Sequence, residues 1–147
     1  MLTDDKETTV TTTLTRRLAS GTTTVPGTHP QAGFFDALAR HLRLHPHLPE
    51  VNLCNLFGEP SLQVRLSGRD LAAGLLAWAH TLPVHTLTIR ALDDGTASTR
   101  LHATLDGHPV VVWGHLYGIA DWLGLRPGDK HTSTVDVLHR YAEEANR

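Results

Sequence analysis

Three successive runs, 85–92, 97–105 and 108–116, alternate apolar with polar residues, with Asp93-Asp94-Gly95 and Asp106-Gly107 in the short connections between them. A period of two is the signature of a strand with one buried face. Asp-Gly suits a two-residue type I′ turn, and Asp-Asp-Gly suits a three-residue loop with glycine in the left-handed position. The stretch therefore reads as an antiparallel meander, and the turn lengths fix its register. Leu105 faces His108, Ala103 faces Val110 and Leu101 faces Val112 on the core side. Arg100, His102 and Thr104 then stand opposite Trp113, Val111 and Pro109 on the other side, with Leu87 opposite Leu101 and with Thr86 and Thr88 opposite His102 and Arg100.

Further strands and helices must be arranged around this meander. Runs 51–56 and 61–66 form a hairpin across a four-residue loop, Phe57-Gly58-Glu59-Pro60, pointing Val51, Leu53, Leu62, Val64 and Leu66 inward and Asn52, Cys54, Gln63 and Arg65 outward. A first helix runs from Gly33 on a stripe of Phe34, Phe35, Leu38 and Leu42, and ends near Leu44 because His45 precedes Pro46. A second begins at a capping box, Ser67 with Asp70, and buries Leu71, Leu75, Leu76, Trp78 and Leu82 before Pro83. A short helix over 117–123 carries Ile119, Trp122 and Leu123. After the break at Arg126-Pro127-Gly128, a last helix starts at Ser133 with Asp136 completing a second capping box.

The order α-β-β-α-β-β-β-α-α, without parallel crossover signals, predicts an α+β fold: a mainly antiparallel five-stranded sheet with helices packed on it. Segments 38–68 and 71–107 both pass from an Ala/Leu helix through Leu-Pro into a hairpin, a weak α-β-β pseudo-repeat. Residues 1–30 are threonine-rich with hardly a large apolar side chain beyond Leu14 and Leu18, and read as a flexible arm with one helical turn near 14–19. Residues 31–147 form a single domain.

Composition narrows the setting. Cys54 is the only cysteine of the 147 residues, so no intrachain disulfide forms, and the lone thiol points to a reducing, cytoplasmic compartment. No apolar run approaches the ~20 residues of a membrane helix, so neither export nor membrane insertion is expected. The net charge of −2 lacks the global basic footprint of many nucleic-acid binders. Only Lys6 and Lys130 of the 13 basic residues are lysine, a skew consistent with GC-rich bacterial coding.

The outward sheet face gathers Arg65, Arg90, Arg100, His102, Trp113 and His115, with no Asp or Glu in any of its strands. Such a face suits an acidic protein surface, or phosphate contact with base stacking. The competing expectation is a face solvated or covered by the C-terminal helices. His41, His45 and His47 form H-x3-H-x-H, but no further ligand is spaced to complete a tetrahedral site, and histidines at a helix C-terminus also oppose the macrodipole. No metal or other cofactor is expected. Cys54 would need His102 or His115 beside it to act as a nucleophile, and a free cysteine is ordinarily a small buried hydrophobe. None of the G-x-S-x-G, H-E-x-x-H, G-x-x-x-x-G-K-[ST] or G-x-G-x-x-G motifs occurs. The sequence thus favours a non-enzymatic protein-interaction or accessory module that binds a protein partner or itself through the outward face. A nucleic-acid-associated accessory protein is the alternative, and a His-rich metal protein or small enzyme comes third.

Overall fold

The computed structural model describes His29 and residues 31–145 apart from Phe57, with Leu56 described in its backbone alone. Backbone contacts divide the chain into Met1–Ala32 and Gly33–Arg147. The arm over 1–30 and its helical turn near 14–19 fall outside the described residues, His29 excepted.

The elements in chain order are α1 (Ala32–Leu44), β1 (Val51–Leu56), β2 (Glu59–Val64), α2 (Arg69–Ala79), β3 (Val84–Ala91), β4 (Thr96–Leu105), β5 (His108–Tyr117), α3 (Ile119–Leu123), β6 (Lys130–Ser133) and α4 (Val135–Ala145). The fold is α+β. No helix among the described residues is long and apolar enough to cross a membrane.

The meander has the register its turns dictate. Leu105 pairs with His108, Leu101 with Val112 and Arg100 with Trp113, while Thr88 pairs with Arg100 and Leu87 with Leu101. Asp106 and Gly107 both take positive φ, 50° and 82°, which gives a type I′ turn the twist its strands need. In the other turn Gly95 sits at φ 87°, and Asp94 Oδ1 accepts hydrogen bonds from the Thr96 N–H (3.0 Å) and hydroxyl (2.6 Å).

The sheet differs from expectation in two respects. It has six strands, in the order β1-β2-β5-β4-β3-β6, and it is mixed, because β2 lies parallel to β5 through Ser61–Val111, Leu62–Val112 and Gln63–Trp113. Apolar alternation reports which face of a strand is buried but not which neighbour it takes, so the parallel seam between hairpin and meander left no mark in the sequence. The sixth strand, Lys-His-Thr-Ser, is a short polar edge paired with β3 from Leu87–Ser133 to Arg90–Lys130. Ser133 therefore ends a strand instead of capping a helix, and α4 starts at Val135.

The hairpin is also tighter than expected. Glu59 pairs with Leu56, and Gly58 just before it has φ 76°, so Glu59 and Pro60 belong to β2. The strand accordingly ends at Val64, and Leu66 is 38% exposed instead of turned inward within the strand. The α2 N-cap is Gly68, at φ 62°, with no side-chain cap bond, so the Ser67–Asp70 capping box does not form. Tyr117 belongs to β5, and α3 starts only after Gly118.

One apolar cluster joins all four helices to one face of the sheet. It contains Phe34 and Leu38 from α1, Leu71, Leu75 and Trp78 from α2, Ile119 from α3, and Leu138 from α4, against Leu62, Leu87, Ile89, Leu101 and Val112 of the strands. On α1 the buried stripe is Phe34, Ala37, Leu38 and His41, rotated from the expected one, and Phe35 and Leu42 remain exposed. His41 can take a core-facing position because its polar edge is satisfied: Nε2 lies 2.9 Å from Thr81 Oγ1 and the ring stacks on Trp78. Trp78 is fully buried, and its indole N–H donates to Pro49 O at 3.2 Å. Trp122, expected in the core, is 38% exposed and meets Tyr141 edge-on. Over β5, α2 approaches so closely that a Cβ at Gly114 would stand 2.8 Å from Leu71 Cδ1.

Candidate functional site

Because α3 and α4 join the helix layer, none of the described helices covers the outward sheet face. The site is built from the strands themselves. β3 supplies Thr86, Thr88 and Arg90, β4 supplies Ser98, Arg100 and His102, and β6 supplies Lys130 and Thr132, which together line a groove of about 460 Å³. Alternation puts each set on the same side, and pairing of Thr88 with both Arg100 and Thr132, and of Arg90 with Lys130, draws the three strands together.

Three permanent cations converge here among hydroxyls, and no acidic side chain among the described residues lines the groove. Partial burial, then the nearby charge of Arg90, holds the Arg100 pKa below its ordinary value. The Arg100 Nε–H donates to Ser98 Oγ at 3.1 Å, which orients the guanidinium along β4. His102 is likewise held below the usual imidazole value. Burial is the main cause, and Arg100 and Lys130 add to it against an opposing pull from Glu59. Its Nε2 lies 3.0 Å from Thr88 Oγ1 across the strand pair.

Of the residues singled out from the sequence, Arg90, Arg100 and His102 share the groove. Trp113 and His115 lie on the same face one strand away, on β5, with their rings 5.4 Å apart. The Trp113 Nε1 is buried and has no hydrogen-bond partner among the described residues. His115 is exposed, close enough to Asp94 for their charges to interact. Arg65 does not belong to the cluster. It lies beyond the end of β2, forms a long 3.5 Å ion pair with Glu50, and is separated from the groove by β5.

Two corrections concern charge. The outward face does carry an acid in a strand, since Glu59 opens β2 and its field reaches His102. Lys130 and Thr132, which complete the groove, were missed because residues 130–133 lack the apolar alternation that marks a strand. The only available signal was the polar period-two pair Lys130 and Thr132 after a Pro-Gly turn.

The remaining chemical candidates are kept apart by the fold. β2 and β5 separate Cys54 from His102, a span of about 14 Å at ordinary strand spacing. Cys54 is also in register, through Ser61, with Val111, so His115 lies roughly 13 Å further along β5. Neither histidine reaches the thiol. The His41, His45 and His47 rings do lie in sequence, at 4.5 and 6.1 Å between successive centres, but His41 is drawn into the core by Trp78 and Thr81. No group of three or more His, Cys, Asp or Glu among the described residues is placed to hold a metal ion. What the outward face can do chemically is bind anions: fixed cations supply the field and hydroxyls supply directional hydrogen bonds.

No protein-family model, curated protein or solved structure matches the chain.

Proposed function

We propose that this chain is a non-enzymatic interaction module whose outward sheet face receives an acidic segment of a protein partner. The observation that carries this reading is the groove across β3, β4 and β6, where Arg90, Arg100 and Lys130 converge among hydroxyls. Aligned cations of this kind accelerate encounter with an anionic partner and fix its register. A backbone-flanked, hydroxyl-lined channel suits an extended acidic peptide. The module works in the cytoplasm, where a lone thiol such as Cys54 stays reduced.

A nucleic acid is the competing anionic partner. Base recognition on a sheet ordinarily uses aromatic rings standing clear of the surface. Among the described residues no Phe, Tyr or Trp lines this groove, its one ring, His102, is partly buried and held against Thr88, and the one tryptophan on the face, Trp113, has its indole nitrogen buried. The acidic protein is therefore the preferred partner.

Fluorescence anisotropy with labelled oligoglutamate and labelled oligothymidylate of equal length tests the choice. Oligoglutamate binding that weakens as salt rises supports the proposal. Tighter binding of oligothymidylate would replace it with the nucleic-acid reading, and no binding of either at micromolar protein would remove both.

A further inference from the structure

His80 and His139 meet although they come from different helices. His80 is the C-cap of α2, its backbone N–H bonded to Leu76 O, and is exposed. His139 is half-buried on α4, whose neighbouring Leu138 is fully buried in the core. Both backbones are therefore held by packing. The two Nε2 atoms stand 3.2 Å apart, with ring centres separated by 5.1 Å and planes inclined at 23°.

Imidazole nitrogens come this close in an N–H···N hydrogen bond, in offset stacking of the two rings, or in joint ligation of one ion. A tetrahedral ion with bonds of about 2.0–2.1 Å holds its ligand nitrogens roughly 3.3 Å apart and the ring centres roughly 5.2 Å apart. An in-line hydrogen bond at the observed nitrogen separation would hold the centres farther apart, at about 5.5 Å. The stacked pair, with its centres 5.1 Å apart, already holds the two Nε2 atoms at about the separation one shared ion requires.

We infer that His80 and His139 form a two-histidine site for a divalent transition ion of borderline softness, with Zn²⁺ as the type, that clamps α4 to the end of α2. Imidazole suits such ions, whereas Mg²⁺ and Ca²⁺ prefer oxygen. No third His, Cys, Asp or Glu among the described residues completes the set, so water fills the remaining positions and the ion is exchangeable. The site lies in the helix layer, away from the anion-binding face, and does not depend on the function proposed for that face.

Titration of the full, tag-free chain with zinc chloride, by calorimetry and by thermal melting, tests the site. The wild-type protein should bind one ion at this pair and melt at a higher temperature when loaded. His80→Gln and His139→Gln should each weaken binding at least tenfold and abolish the thermal gain, while circular dichroism shows both variants folded. Substitution of both His45 and His47 by Ala should leave affinity and thermal gain unchanged. Zinc binding undiminished in both glutamine variants would overturn the site, as would a wild-type chain that takes up no zinc.

Discussion

Arg100 stands directly opposite Trp113 across β4 and β5, and on its other side it is in register with Thr88 of β3. That position makes Arg100 the hinge of the outward face, with the groove to one side and the indole to the other. The two sides have different physical characters. The groove is polar and cationic, whereas the indole N–H is buried without a hydrogen-bond partner among the described residues.

Replacing Trp113 separates packing from that unsatisfied donor. A buried donor without a partner costs about 1–3 kcal/mol, and Trp113→Phe removes it while keeping an aromatic ring. We expect this variant to lie within about 1 kcal/mol of wild type by urea denaturation, because the relieved donor offsets the lost ring area. Trp113→Ala should be clearly destabilising, yet cost less than the roughly 3–5 kcal/mol typical of a fully buried ring.

Gly114 tests how closely α2 seats on the sheet. An added methyl group would meet Leu71 Cδ1 and Cδ2 at 2.8 and 2.9 Å, so the helix or the leucine must shift. Gly114→Ala should destabilise the fold by about 1–3 kcal/mol, read as a lower denaturation midpoint with an unchanged slope.

Acidification should weaken the fold through two histidines. Burial holds both His41 and His102 below the ordinary value of 6.5; His45 adds to the effect at His41, while at His102 the lowering by Arg100 and Lys130 is opposed by Glu59. The unfolded chain therefore takes up protons on these rings at a higher pH than the folded chain does. Stability is fully present above about pH 6.5 and is lost as the pH falls through and below that value. Denaturation midpoints between about pH 7.5 and 5.5 should fall accordingly, and His41→Gln or His102→Gln should each flatten the slope. A midpoint that rises on acidification would contradict this.

The meander was legible in the sequence because alternation and turn chemistry agree there: Asp106-Gly107 fixes the register and the apolar set fixes the face. The same logic placed Arg90, Arg100, His102, Trp113 and His115 on one side. It failed where a second source of order takes over. The parallel seam between β2 and β5 comes from tertiary packing that no local pattern encodes, and the pairing of Glu59 with Leu56 draws Glu59 and Pro60, which read as loop from the sequence, into β2. On α1, His41 replaced Leu42 on the buried stripe because Trp78 and Thr81 satisfy its ring. Lys130 was invisible as a site residue because β6 is a polar edge whose strand character depends on β3 beside it.

The central claim is that cations on β3 and β6 act together to bind an acidic segment, and the affinity of labelled oligoglutamate for the Arg90→Ala, Lys130→Ala double variant tests it most directly. Both side chains are exposed, so the substitutions should change stability by no more than about 0.5 kcal/mol each. Affinity at low salt should fall about tenfold or more, and the remaining binding should respond less to added salt. A folded double variant that binds oligoglutamate as tightly as wild type would contradict the account.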